Sequence, residues 1–400
     1  MIKKVYISDL FGNKIDKWFY FDKDINIVTG INGAGKTTFL KLVWYLISGN
    51  IERVFREIKV EHVILVHSDF TLEIDSKKLS EVSVSYIDED INRNEIFDIS
   101  NEVIEYDDDT FNSNTRIKSS GDKAHFFLVN LNDFNHLVCS KSKSSLFFPT
   151  FRRIEGGFSM NKGISNPYGL EIPRFIFEEN NLDINRALSE MTQKVSVENH
   201  KLVASISTSD IIELLSKEYI KKSEKSTAIN NSLTEKIEDK ISNNFAIDDE
   251  MVNAIEKKNE IFEEVLQLLN DSKEKKEVLD KPFGILDGFI KKLFQHKGII
   301  IDDNIVIGSA KDALMSEKLS AGEKQMLSFI CYNAFISNGI IFIDEPEISL
   351  HVDWQRIIIK TLMSQNSNNQ FVIATHSPFI YSQYEEYELL LNESRGDDNE

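Results

Sequence analysis

Apolar positions divide the chain into two stretches of α/β texture around a helical middle. In the first stretch, Val5–Ser8 and Ile25–Thr29 read as strands, the second almost wholly apolar. A glycine-rich turn follows, then an amphipathic helix from Lys36 to Ile47. His62–Val66, Phe70–Ile74 and Val82–Ile87 are short, β-branched and alternating, which predicts an antiparallel meander. Residues 88–123 are acidic and polar and read as a loop or insertion, and Ala124–Asn130 returns to strand character.

The texture then changes. Ile229, Leu233, Ile237, Ile241 and Phe245 recur every four residues, a helical stripe with charge between its members. Met251, Ile255, Phe262, Val265, Leu266 and Leu269 form a second stripe, separated from the first by the polar turn Ala246–Asp249. An antiparallel helical hairpin is expected, either as core-facing helices of a lobe or as a projecting arm. Beyond it come strands at Ile299–Ile301 and Ile305–Ile307, a helix over Glu323–Ser337, a strand at Ile340–Ile343, a helix over Asp353–Ser364 and a strand at Phe371–Thr375. Strands that are apolar on both faces suit a parallel sheet covered on both sides. The expected fold class is therefore α/β. One lobe spans 1–178 and contains the meander, an α-helical insertion spans 179–296, a second α/β lobe spans 297–392, and 393–400 is a polar tail.

Charge narrows the partners. A net charge of −19 argues against wrapping nucleic acid over a broad surface, which depends on neutralising phosphates, although a local basic groove stays open. Cys139 and Cys331 are far apart and lack CxxC spacing, so neither a disulfide framework nor a zinc hook at an arm tip is expected. No apolar run approaches the ~20 residues of a membrane helix, and the N-terminus has no secretory h-region. A cytoplasmic location without a membrane partner is the expectation.

Candidate chemistry lies in four short motifs. Gly30-Ile31-Asn32-Gly33-Ala34-Gly35-Lys36-Thr37 fits G-x-x-x-x-G-K-[ST] between a strand and a helix. Glycines there let the backbone N–H groups turn toward phosphate, and the helix N-terminus adds its dipole. Lys36 would reach the β- and γ-phosphates and Thr37 would present a hydroxyl to Mg²⁺. Ile340–Ile343 ends in Asp344 and Glu345, and two adjacent carboxylates at a buried strand end are costly without a cation. Asp344 suits the metal side, and Glu345 suits a general base acting on water. Leu319-Ser320-Ala321-Gly322-Glu323-Lys324-Gln325 opens a helix. Ser320 and Glu323 can form a capping box there, or Ser320 and the Gly322 amide can meet a γ-phosphate. Thr375-His376-Ser377 follows the last strand.

Order and context of these motifs resemble the ABC ATPase superfamily, in the branch of SMC-like, RecF-like and OLD-like soluble ATPases. Gly30–Thr37 looks like its Walker A, Leu319–Gln325 its signature, Asp344–Glu345 its Walker B and His376 its switch histidine; Asp344–His351 is similar to its D-loop region. The resemblance implies an ABC-type P-loop ATPase head binding ATP and Mg²⁺. Gly30, Asn32, Gly33, Ala34, Gly35, Lys36, Thr37 and Thr38 would hold nucleotide in one subunit. Ser320, Gly322 and Glu323 would complete the site of another, so a homodimer around ATP, or a higher oligomer, is expected. Glu345 and His376 would be catalytic, and Thr37 and Asp344 would hold the metal. One departure is that no Q-loop glutamine is evident. Its positional candidate is Phe148–Gly157, where Arg152 and Arg153 could contact phosphate, a partner or a surface carboxylate. Phe11 and Lys14 are candidates for adenine contact.

The chain is also similar to the ATPase subunits of two-gene bacterial anti-phage systems such as PARIS and Septu. That likeness implies a separate effector, such as a nuclease, since too little chain follows His376 for a further catalytic domain. The alternatives are a DNA repair or recombination ATPase of RecF/SMC type, and a nucleotide-gated scaffold with negligible turnover.

Overall fold

The computed structural model describes residues 1–10, 15–78, 81–98, 122–150, 153–154, 192, 195–206, 208–244, 251–294, 319–365 and 367–391. By internal contact the chain divides into two units. One comprises Met1–Ile206 with Ile336–Glu400, and the other Ser207–Phe335.

The first unit holds two six-stranded sheets. Strands β1 (Ile2–Leu10), β2 (Asp16–Tyr20), β4 (Val60–His67), β5 (Thr71–Lys78), β6 (Glu81–Ile87) and β7 (Asn92–Asp98) form an antiparallel sheet in the order β2-β1-β4-β5-β6-β7. Alternation decides its faces: Val5, Ile7, Val63, Leu65, Leu72, Ile74, Val82 and Val84 all point inward and are buried. Strands β3 (Ile25–Thr29), β8 (Ser145–Phe148), β10 (His200–Leu202), β12 (Ile340–Asp344), β13 (Gln370–Ala374) and β14 (Glu388–Leu390) form a wholly parallel sheet in the order β10-β8-β12-β13-β3-β14. Every residue of β3, β8, β12 and β13 is buried, as expected of a sheet covered on both faces. A two-residue pair, β9 (Arg153–Ile154) with β11 (Ser205–Ile206), lies outside both sheets.

Helix α1 (Lys36–Ile47) is buried nearly all round and shares one hydrophobic core with strands of both sheets. Gln370 at the start of β13 ties the sheets together, accepting from Ile2 N at 2.9 Å and donating to Ile2 O at 2.8 Å and Asp22 O at 2.7 Å. Helices α2 (Ile51–Glu57) and α3 (Asp122–Lys141) follow α1 and the meander, while α7 (Val352–Met363) and α8 (Pro378–Tyr381) follow β12 and β13.

Two local expectations are corrected. Ala124–Asn130 is helical, part of α3, because the continuing sequence buries Leu131, Phe134 and Val138 at helical spacing. Asn92–Asp98, expected within a loop, is the outer strand β7. Its polar residues are affordable at a sheet edge, and Arg93 pairs with Glu95 and Asp133 while lying 4.8 Å over the Phe134 ring. The expected strands Ile299–Ile301 and Ile305–Ile307, the turn Ala246–Asp249 and Phe245 lie outside the described residues.

The second unit contains α4 (Thr208–Asn244), α5 (Met251–Phe294) and α6 (Ala321–Ala334). Helices α4 and α5 have 37 and 44 residues, or ~55 and ~66 Å at 1.5 Å per residue. Ion pairs Lys222–Asp280 and Lys240–Glu264 ascend one helix as they descend the other, which makes the pair antiparallel. Their shared seam is heptad-like, with Ile229, Leu233 and Ile237 of α4 and Ile261, Val265 and Leu268 of α5 partly sheltered. Phe262, Leu266 and Leu269 flank the seam and are exposed, Phe262 at 63%. At the other end Ile211 and Leu215 of α4, Leu286 and Ile290 of α5, and Met326, Phe329 and Ile330 of α6 are buried. The Phe283 and Phe335 rings meet there at 5.0 Å. Helix α6 thus groups with the long hairpin rather than with the sheets. No helix among the described residues is long and apolar enough to cross a membrane.

Buried His200, at the start of β10, contacts Ser145 Oγ at 2.8 Å and Ser142 Oγ at 3.2 Å. Burial pushes its pKa down to about 4. A folded pKa below the unfolded one gives stability that is present above the unfolded value and lost as pH falls toward the folded value. Stability against denaturant should therefore fall as pH drops from roughly 6.5 to 4, by about 3 kcal/mol from this residue. His200→Asn should make the acid limb shallower by that amount.

Candidate functional site

Parallel strands leave their C-terminal ends on one edge of a sheet, and here four neighbouring strands bring polar groups to that edge. Their register is tight: Asp344 lies beside Ala374, Ala374 beside Val28, and Ile343 beside Phe148. Each strand then runs into a functional segment: β3 into Gly30–Gly35, β12 into Asp344–Glu345, β13 into Thr375–His376, and β8 into Pro149–Thr150.

The loop after β3 turns on left-handed glycines, Gly33 at φ 82° and Gly35 at φ 89°, the latter capping α1. Phe39 N already donates to Gly35 O at 2.8 Å, so α1 begins directly from the loop. Asn32 and Gly33 are exposed, Ala34 is buried, and Thr37 and Thr38 are half-buried. Lys36 is 5% exposed and folds back over the loop, donating to Gly30 O at 3.1 Å and Ile31 O at 3.2 Å. Burial lowers its pKa, against the opposing charges of Glu345, Asp344 and Glu347.

Asp344 is completely buried. Its Oδ2 accepts from Thr37 Oγ1 at 2.8 Å and also from Thr150 Oγ1. Glu345 has φ 48°, a left-handed backbone for a side chain larger than glycine, and its N–H donates to Ala374 O at 2.8 Å. His376 stands between the two motifs, with Nδ1 3.4 Å from Lys36 Nζ and Nε2 3.9 Å from Glu345 Oε1. The structure thus brings together Gly30, Asn32, Gly33, Ala34, Gly35, Lys36, Thr37, Asp344, Glu345 and His376 at the C-terminal edge of one sheet, with Thr38 on the adjoining helix turn.

Ser320, Gly322 and Glu323 belong to the helical unit. There Ser320 Oγ accepts from Glu323 N at 3.3 Å and Glu323 Oε2 accepts from Ser320 N at 2.7 Å, a complete capping box for α6. Phe11, Lys14 and Arg152 lie outside the described residues, as does the side chain of Arg153.

Two site residues were not singled out from the sequence. Thr150 falls inside the Q-loop candidate segment, where the arginines are the more conspicuous chemistry; a hydroxyl two residues beyond a buried strand was the available signal. Glu347 grips the loop that carries His376, accepting from Thr375 Oγ1 at 2.8 Å and His376 N at 2.6 Å. Its sequence signal was a third acid close behind Asp344 and Glu345.

The donor set fits a small, hard divalent cation. Thr37 and Thr150 hydroxyls and the Asp344 carboxylate are oxygen ligands suited to Mg²⁺, and the loop and α1 N-terminus suit an anion beside it.

Fold and site together define a P-loop nucleotide-binding protein. The chain belongs to the AAA ATPase domain family, which matches residues 1–381. It is 32% identical over 118 residues to the Retron Ec83 probable ATPase of Escherichia coli, a match covering 26% of this chain and 21% of that protein. It is 33% identical over 75 residues to the Retron Vc95 probable ATPase of Vibrio cholerae serotype O1 biovar El Tor, covering 16% and 15%. The chain therefore spans about a fifth or less of the length of these two curated relatives. Among solved structures it is similar to the Smc head domain with an extended coiled coil bound to the C-terminal domain of ScpA from Pyrococcus furiosus, at TM-score 0.34, 12% identity and coverage of 95% and 91%. The recombination mediator RecF with ATP matches at TM-score 0.28, 10% identity and coverage of 94% and 92%.

A Cβ at Gly35 would meet only Leu10 Cδ2, at an ordinary 3.8 Å, so the cost of a side chain there is backbone strain. Gly35→Ala should destabilise by about 1–2 kcal/mol without a packing defect, read as a lower urea midpoint at unchanged m-value.

Proposed function

We propose that this chain binds ATP with Mg²⁺, hydrolyses it, and closes two copies around the nucleotide to control a separate effector, as the ATPase subunit of a bacterial anti-phage system. The observation that carries the reading is the meeting of Lys36, Thr37, Asp344, Glu345 and His376 at adjacent ends of one parallel sheet.

Backbone N–H groups of the loop and the α1 N-terminus receive the phosphates, and Lys36 exchanges its carbonyl partners for β- and γ-phosphate oxygens. Thr37, Thr150 and Asp344 would hold Mg²⁺, which when bound would supply positive charge against the phosphate oxygens. Glu345 orients a water and accepts its proton as the oxygen attacks the γ-phosphorus. The bond to the bridging oxygen breaks, ADP leaves, and inorganic phosphate forms. His376 faces the γ-phosphate and registers its presence to the β13 loop. Ser320 and Gly322, at the α6 N-terminus, approach the γ-phosphate of a second copy, so each site requires two chains.

Two relatives are named as probable ATPases of retrons. That favours control of a partner over stand-alone repair.

Glu345→Gln removes the base while keeping shape and every phosphate contact. This variant should bind ATP like the wild type, lose at least about 10²-fold in turnover, and elute at dimer mass in ATP–Mg²⁺. As bait in that state it should retain the product of a co-encoded gene. An unchanged elution volume in ATP contradicts closure. Salt-sensitive DNA binding that rises with ATP would favour the repair reading, and wild-type turnover indistinguishable from Glu345→Gln would favour the scaffold reading.

A further inference from the structure

The loops that follow β12 and β13 are joined at one carboxylate. Glu347 Oε2 accepts from Thr375 Oγ1 at 2.8 Å, and Oε1 accepts from His376 N at 2.6 Å. Thr375 Oγ1 itself accepts from Ser377 N at 3.0 Å, which commits the threonine proton to Glu347. Ser377 Oγ donates to Gln355 Oε1 at 2.6 Å, and Gln355 Nε2 donates to Leu350 O at 2.8 Å. The bonds thereby close a ring back onto the loop that carries Glu347. That loop holds two left-handed non-glycine residues, Glu345 at φ 48° and Ser349 at φ 69°, a conformation that needs external restraint to persist.

We propose that Glu347 is a positioning residue for ATP hydrolysis. By gripping the Thr375 hydroxyl and the His376 amide together, it fixes where the His376 ring stands between Lys36 and Glu345. Both partners are donors, so the position demands two acceptor oxygens on one side chain. A carboxylate supplies them, glutamine supplies one, and aspartate is a methylene short. Glu347 acts through His376, and its charge also lies near the Lys36 ammonium. The ring further makes the β12 loop and the switch histidine move as one body. The inference rests on the ATPase reading above.

The test is a double-mutant cycle on kcat and KM for ATP, with urea midpoints measured alongside. Glu347→Ala should lower kcat on the order of 10²-fold, as a misplaced group does, with KM changed less than about threefold. Glu347→Gln, which keeps shape and one acceptor, should lose about tenfold. In a His376→Ala background neither substitution should lower kcat further. Losses that multiply with that of His376→Ala overturn the inference and leave the ATPase reading intact, as does a Glu347→Gln enzyme with wild-type kcat. If Glu347→Ala does not fold, Glu347→Gln and its double variant carry the same decision. Absence of turnover in the wild-type protein overturns both readings.

Discussion

A carboxylate with no exposed surface closes β12, and the rest of the site is arranged around the cost of keeping Asp344 there. Two hydroxyls donate to one of its oxygens, Thr37 from the first turn of α1 and Thr150 from beyond β8. The Lys36 ammonium, itself almost fully buried, stands among the charges of Glu345, Asp344 and Glu347, which oppose the depression of its pKa by burial. None of these groups is tolerable in the interior alone. The strand order β8-β12-β13-β3 makes them tolerable together, because it puts the hydroxyls, the acids and the ammonium on one edge.

The same arrangement divides labour within the chain. The candidate site sits on well-packed elements: β3, β8, β12 and β13 are buried along their length, and α1 is enclosed in the core shared by both sheets. The helical unit is built differently. Beyond its base, α4 and α5 shelter a single heptad-like seam and present charged or apolar residues elsewhere to solvent. Its α6 begins at an N-terminus closed by the Ser320–Glu323 capping box, with Ser320 exposed and Gly322 half-buried.

Much of this was legible in the sequence where local pattern and chemistry coincide. Gly30–Thr37 between an apolar strand and a helix, and Ile340–Ile343 ending in two acids, predicted their elements within a residue or two. The meander followed from alternation. Pattern failed where tertiary pairing decides. Asn92–Asp98 has too few apolar residues to read as a strand, and it is one because β6 offers an edge and Arg93 finds two carboxylates. Ala124–Asn130 carries a β-like apolar run, and the burial of Leu131, Phe134 and Val138 makes the longer segment helical. On α5 the expected stripe holds at Val265, which is half-buried, but Phe262, Leu266 and Leu269 are exposed while the equally apolar Ile261 and Leu268 are half-buried. Thr150 and Glu347 carried only weak local signals, for another reason. Each matters through partners distant in sequence, Asp344 for Thr150 and Thr375 with His376 for Glu347, which no local spacing encodes.

The central claim is that the loop after β3 and the buried acid of β12 form one nucleotide–metal site. Calorimetric titration with ATP tests it most directly, comparing Mg²⁺ with a chelator and wild type with Lys36→Ala. The account predicts saturable binding in Mg²⁺ that weakens at least about tenfold in the chelator and falls on the order of 10²-fold in Lys36→Ala. Equal binding by both proteins, with or without Mg²⁺, would contradict it.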